Sequence, residues 1–221
     1  MPWLKSRFPL TLALMVSLTI LSQAADVHTI ADAVDHHYNH LQTLQCEFTE
    51  IYTGAGIERT ESGTLWLKKP GKMRWQYRSP REKLFVSDGK DAWFYVPGEQ
   101  QVRRTEVKKL DDLRSPLAFL LGKTRLEKEL HGLSFAPDVP PLDSGDVVLR
   151  GVPVSMADRV NQVLLEITPA DWIDRIVIEE GDGSTTEYRF SRPKEDLNLA
   201  ASLFHFAVPD GVEIIDERFG Q

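Results

Sequence analysis

Residues 63–95 read GTLWLKKPGKMRWQYRSPREKLFVSDGKDAWFY, and they encode three consecutive antiparallel strands carrying unusually large aromatic side chains. Strict alternation sets Met73, Trp75 and Tyr77 on one face and Lys72, Arg74, Gln76 and Arg78 on the other, the period of a half-solvated strand. Pro70-Gly71 before the middle strand and Ser79-Pro80 after it are turn chemistry. Val86-Ser87-Asp88-Gly89-Lys90 then supplies an Asp-Gly hairpin turn ahead of Trp93, Phe94 and Tyr95. A large apolar face on an antiparallel sheet has to be covered, so the pattern points to a curved sheet built around something greasy.

On the N-terminal side, Val27, Ile30, Ala31, Val34, Tyr38, Leu41 and Leu44 recur at spacings of three and four, which predicts an amphipathic helix over 27–44 with Asp26 as its cap. Strands follow at 45–53 and 58–69, joined through Gly54-Ala55-Gly56, and residues 100–108 add another beyond the aromatic three. Ser115-Pro116-Leu117-Ala118-Phe119-Leu120-Leu121-Gly122 has Ser at the cap, Pro in the first turn and Gly after the end, the marks of a short helix. Its interior is almost wholly apolar, so it must be wedged between apolar surfaces or against a greasy ligand. Strand-like runs recur at 128–135, 147–154, 162–168, 172–180 and 184–191, with Gly181-Asp182-Gly183 as a hairpin turn, and a strand-and-turn over 203–212 closes the chain. About ten or eleven strands against two helices make a mainly β chain with some α, in one strongly curved or partly closed antiparallel sheet.

Lys5 and Arg7 precede an apolar run from Leu10 to Leu21 and the small-residue site Ser22-Gln23-Ala24, which reads as a secretory signal peptide over 1–24. Residues 25–221 are then the mature chain, a single domain with no lipid anchor, because no cysteine sits at the cleavage site. With 26 basic and 33 acidic side chains the chain is acidic, and nucleic acid is an unsuitable partner. One cysteine permits no internal disulfide, and Cys46 reads as a small buried strand residue.

His36, His37 and His40 form the one histidine cluster, but the stretch lacks the Glu of a zinc-protease helix and places no further ligands, so a solvated helix face is expected and no metal or cofactor is assigned. No Gly-x-Ser-x-Gly elbow, phosphate-cradling loop or Gly-x-Gly-x-x-Gly turn occurs. The carboxylate pairs Glu179-Glu180, Asp111-Asp112 and Asp216-Glu217 are sequence neighbours, and neighbours on a strand point to opposite faces. Nothing here supports an enzyme.

The signal peptide, Phe48-Thr49, Gly63–Pro70, Arg74-Trp75, Val86–Gly89, Trp93–Tyr95, Ser115-Pro116-Leu117 and the closing Phe204-His205-Phe206 with Pro209–Val212 together resemble the periplasmic outer-membrane lipoprotein carrier family, LolA. The resemblance implies an incomplete, strongly curved antiparallel barrel covered by lid helices, with an apolar cavity that takes the acyl chains of a lipoprotein. On strand parity that cavity would be lined by Val34, Leu41, Phe48, Leu65, Leu67, Met73, Trp75, Tyr77, Trp93 and Tyr95. The lids would be the 27–44 helix and the second helix, through Leu117, Phe119, Leu120 and Leu121. It further implies a monomer in the periplasm that receives acylated lipoproteins from an inner-membrane ABC-type release complex and passes them to a receptor in the outer membrane. An acyl chain of about 16 carbons exposes on the order of 12 kcal/mol of apolar surface, so crossing an aqueous space unaided would be prohibitively slow.

Two departures matter. Lys69 stands where the family's best-known members have an Arg that locks the lid, and an ammonium offers no planar fork. Met73 replaces an aromatic expected at the cavity mouth. Semi-polar Trp75 and Tyr77 suit reversible binding better than an all-Leu pocket, so Tyr77→Leu is expected to tighten retention of cargo. The competing readings on this architecture are a lipid- or lipoprotein-sensing module of envelope stress regulation, a protein that binds free lipid, and an enzyme acting on a lipid-like substrate. The first usually carries a further domain after the curved sheet, whereas here the sequence ends soon after Ile215.

Overall fold

The computed structural model describes residues 26–108 and 125–217. The expected signal peptide and the expected helix with Leu117, Phe119, Leu120 and Leu121 lie outside them. Helix α1 (Val27–His40) leads into β1 (Thr43–Gly54), β2 (Ile57–Lys68), β3 (Lys72–Ser79), β4 (Lys83–Asp88), β5 (Asp91–Tyr95) and β6 (Gln101–Glu106). A single helical turn, α2 (Leu126–Glu129), opens the second half, followed by β7 (Leu130–Phe135), β8 (Val147–Pro153), β9 (Val160–Ile167), β10 (Ile173–Glu180), β11 (Thr185–Glu195) and β12 (Glu213–Asp216).

All twelve strands form one open sheet in the order β12-β6-β5-β4-β3-β2-β1-β11-β10-β9-β8-β7, so β1 and β11, far apart in the chain, meet near its middle. Phe48 of β1 lies opposite Phe190 of β11. Pairing is antiparallel throughout except that β12 runs parallel to β6. That strand is a correction to the expected run over 203–212, where the chain instead makes a 3-10 turn at Ala201–Phe204. The Arg74 guanidinium donates to the Leu203 carbonyl at 3.2 Å and the Lys68 ammonium to that of Leu199 at 2.7 Å. These side chains hold the segment across the outer face of the sheet, and only at Glu213 does it drop to the edge as a strand.

Helix α1 is four residues shorter than its apolar stripe suggests, because Leu41 already has extended dihedrals (φ −56°, ψ 127°) and Thr43 starts β1. Asp26 does occupy the N-cap position, but its side chain makes no capping hydrogen bond. The expected strand over 128–135 begins with α2 instead, whose Leu126 N–H donates to both oxygens of the Asp35 carboxylate at 3.0 and 3.1 Å.

The sheet must curl around α1. A 14-residue helix is about 21 Å long, whereas β2 and β7 would lie about 29 Å apart in a flat sheet. Yet the α1 Tyr38 carbonyl accepts from the Lys69 ammonium just after β2, while Asp35 and His28 of the same helix reach α2, directly before β7. Ala31, Val34, Tyr38 and Leu41 face inward and are buried with Leu44, Leu65, Leu67, Leu149, Leu165 and Ile176 in one continuous core.

Candidate functional site

Register fixes which side chains share the concave face, because directly opposed residues point the same way. One row runs Leu44, Leu67, Met73, Ser87, Ala92; the next Cys46, Leu65, Trp75, Phe85, Phe94; the third Phe48, Gly63, Tyr77, Lys83. Tyr188 and Phe190 of β11 continue the face beyond β1, opposite Glu50 and Phe48. Five aromatic rings meet here: Phe48 packs edge-on to Trp75 and Tyr77 at 4.6 and 4.8 Å, and Trp75 lies 6.0 Å from Tyr188 and 6.3 Å from Phe190. Gly63 makes room for them, since a β-carbon there would collide with the Gln76 carbonyl and sit 2.9 Å from the Phe48 ring.

Of the residues expected to line a cavity, Val34, Leu41, Phe48, Leu65, Leu67, Met73 and Trp75 are buried in this core, and Tyr77 packs against it half-buried. Trp93 and Tyr95 are not on this face. They lie on the outer face with Val86 and Val102, and Phe206 covers them at 6.2 and 5.7 Å. The ladder puts Phe85 and Phe94 on the concave side in their stead. Sequence reasoning also passed over Tyr188 and Phe190, although their i, i+2 alternation in β11 was a usable signal.

Helix α1 closes one end of the face. Tyr38 stacks on Trp172 at 5.7 Å and its hydroxyl accepts the Ile173 N–H at 3.1 Å, with burial pushing the phenol's pKa well up. Lys69, the expected lid lock, donates to the Tyr38 carbonyl in the last turn of α1, and desolvation lowers its pKa. Whether it also meets the Leu117–Leu121 segment falls outside the described residues.

The other end of the face is polar. Tyr77 donates its hydroxyl to Glu50 at 2.7 Å, and burial raises the pKa of both groups. Lys83 donates to Glu61 at 2.6 Å and its ammonium lies 5.3 Å from the centre of the Tyr77 ring. Cys46 is buried, with its thiol pushed up to about 12, which makes it a poor nucleophile.

His37 pairs with Glu195 at 3.0 Å and His40 bonds the His36 carbonyl at 2.8 Å, so these histidines are engaged on the side of α1 away from the core. Asp143, Asp146 and Asp174 bring oxygens within 4.8 Å of one another, a spacing that could hold a metal ion. Burial and the neighbouring carboxylates lift Asp174 to about 7, and in its neutral form it donates a hydrogen bond to Asp146. A pocket of about 310 Å³ between α1 and α2 is lined by Asp32, Asp35, Asn39, Arg125, Glu127 and Lys128, a lining for polar groups rather than acyl chains.

Among known proteins, the family model described as "Outer membrane lipoprotein carrier protein LolA" matches residues 39–207. A protein of Nitrosospira multiformis named outer-membrane lipoprotein carrier protein is 30% identical over 180 residues, covering 80% of this chain and 83% of the relative. One of the same name from Alkalilimnicola ehrlichii is 28% identical over 222 residues, covering 99% and 98%. Among solved structures, the crystal structure of MucB superposes with a TM-score of 0.52 at 12% identity, over 84% of this chain and 64% of that one, a likeness of fold.

Proposed function

This chain belongs to the LolA family of outer membrane lipoprotein carriers, and from that footing we propose that it is a periplasmic chaperone that shields the acyl chains of lipoproteins between the inner and outer membranes. The observation that carries the reading is the aromatic concave face. Phe48, Trp75, Tyr77, Tyr188 and Phe190 form a continuous apolar wall with α1 across one end. Acyl chains enter between this wall and α1, and the Leu117–Leu121 segment, expected from its sequence to be a second lid, lies outside the described residues. The chemistry asked of the protein is burial alone, so no nucleophile, metal or cofactor has a part in it.

An inner-membrane ABC-type complex releases the cargo to this carrier, and an outer-membrane receptor takes it up. Each handover needs binding that is strong against water but weak against the next greasy site. Rings with polar edges, such as Trp75 and Tyr77, suit that better than an aliphatic wall, because their polar atoms keep partners in the protein itself, the Met73 sulfur for Trp75 and Glu50 for Tyr77. No described helix is long and apolar enough to cross a membrane, which suits a carrier that moves between two of them.

The test is release from spheroplasts bearing a triacylated lipoprotein. The mature protein is expected to bring the lipoprotein into the soluble fraction as a one-to-one complex, and Leu117→Glu or Leu120→Glu to abolish this. No release, together with uptake of a free fatty acid or phospholipid, would replace the carrier with a lipid-binding or sensing module on the same scaffold.

A further inference from the structure

The outer face of the sheet carries a charge pattern for which the shielding of acyl chains has no use. Strands β3, β2, β1 and β11 lie side by side, and on their outer side register sets Arg189, Thr49 and Ser62 in one row and Ser191, Glu47, Thr64 and Gln76 in the next. Arg78 reaches across this surface, its guanidinium donating to the Thr64 hydroxyl at 2.6 Å. A bulge in β11 adds two more cations. In a regular strand Arg189 and Lys194 would point to opposite faces, but an extra residue is taken up between Ser191 and Lys194, where Arg192 has φ 53°, and the pairing of Lys194 with Gln45 puts both on the outside.

Arg78, Arg189, Arg192 and Lys194 are all exposed, Arg192 most of all, with 76% of its side chain in solvent. Glu187 pairs with Arg189 and Glu47 with Arg192, and Asp196 follows where the chain leaves the strand. Among the described residues no carboxylate lies within 4.0 Å of Arg78 or Lys194. Lys68 and Arg74 flank the patch, their charges turned to the carbonyls of Leu199 and Leu203. These cations outnumber the carboxylates among them in a chain whose formal net charge is −7.

The surroundings of the patch narrow what it fits. A polypeptide that adds to a sheet needs a free edge, and these four strands are interior, the edges being β12 and β7. A tight protein interface is anchored by desolvated apolar side chains, and of the exposed large apolar residues only Ile57 is on these strands, at the tip of the β1–β2 hairpin. A bilayer with anionic headgroups needs neither. Each Lys or Arg near it is attracted independently by the surface potential, and the hydroxyls of Thr49, Ser62 and Ser191 between the cations can donate to headgroup phosphates. The outer side of a curled sheet meets a flat surface along only a few neighbouring strands, and four strands give a strip about 14 Å wide. We propose that this outer face docks the protein reversibly on a lipid surface carrying anionic headgroups. The concave wall and α1 take no part in the contact, so it goes beyond the carrier reading and stands without it.

The experiment is cosedimentation of the mature protein with vesicles of phosphatidylcholine alone, or of phosphatidylcholine and phosphatidylglycerol in equal parts, at low and high salt. Binding is expected on the anionic vesicles only, and it should fade as salt is raised. The triple variant Arg189→Gln, Arg192→Gln, Lys194→Gln should weaken it by more than about tenfold. The triple variant Lys90→Gln, Lys108→Gln, Lys128→Gln makes the same change in net charge at exposed positions elsewhere and should leave it in place. If the first variant melts lower than the unsubstituted protein, Lys194→Gln alone, which breaks no ion pair among the described residues, replaces it and should weaken binding about fivefold. Absent or equal binding to the two kinds of vesicle would overturn the inference. So would equal weakening by the two triple variants, because net charge and not this face would then govern, or undiminished binding by the patch variants. An oligoglutamate peptide that binds the unsubstituted protein but not the patch variant, with no binding to anionic vesicles, would assign the face to an acidic polypeptide and rule out the lipid surface.

Discussion

Single side chains set how firmly α1 is held. Lys69 donates to a carbonyl in the last turn of that helix, where such groups lack intrahelical partners and the helix dipole favours a cation. Lys69→Ala is therefore expected to cost about 1 kcal/mol, read as a melting temperature lower by about 2–4 °C, with only a modest change in cargo release. Cargo trapped irreversibly on the variant would show that Lys69 governs release rather than packing. Asp174 has the opposite sense. Its folded pKa is raised to about 7, so the stability tied to its proton is full below the ordinary carboxylate range and is lost as pH rises through about 7. Asp174→Asn should match the unsubstituted protein near pH 4 and melt about 2–4 °C higher near pH 8, a gain kept small by solvent screening. Equal melting at both pH values would rule the buried proton out. At this scale the sequence was only partly legible. Met73, Trp75 and Tyr77 alternate with charged residues and so declare their face, but Trp93, Phe94 and Tyr95 offer an aromatic to both sides. Only the pairing of Phe85 with Phe94 settles which of them points inward. The pairing of Glu50 with Tyr77 was hidden for a related reason, since it joins strands that are not sequential neighbours.

Among the elements, α1 packs its inward side into the core and is bonded both to the sheet and to α2. Tyr38 ties it to β10 through the Ile173 N–H, and Asp35 ties it to α2. Tyr38→Phe keeps the ring on Trp172 but leaves a buried N–H without its acceptor, a loss of about 1–3 kcal/mol. Hydrogen exchange at Ile173 should accelerate in step. Exchange unchanged at that amide would mean that the phenol contributes packing only. The helix itself was readable because its stripe holds for three turns, whereas its end was not. Leu41 and Leu44 continue the helical spacing by coincidence, since Leu44 serves β1 as an inward residue. Strand β12 escaped notice because four residues, Glu213–Asp216, are too few for a period and the parallel partner lies at the far edge of the sheet. The preceding Phe204 and Phe206 drew the strand assignment instead, and they are buried because they cap the outer face.

As a whole, the molecule is an open sheet that buries its concave side with aromatic rings. Ligand binding to the folded form alone stabilises it by mass action, about 2.7 kcal/mol at a hundredfold excess over Kd. For a chain of this size, dodecanol, which carries a single alkyl chain, should raise the melting temperature by about 5–10 °C at that excess. Trp75→Ala should shrink that rise by weakening ligand binding, and an undiminished rise would move the acyl site away from this wall. The meeting of β1 with β11 near the middle of the sheet has a further consequence, one of timing. Chains are made from the N-terminus, so β1 to β6 exist while the edge of β1 that β11 will cover is still bare. Pairing over so long a sequence separation is slow, and the aromatic wall lacks Tyr188 and Phe190 until it happens. If this wall is what holds an acyl chain, the capacity to bind arrives at once, with nearly the last strand laid down.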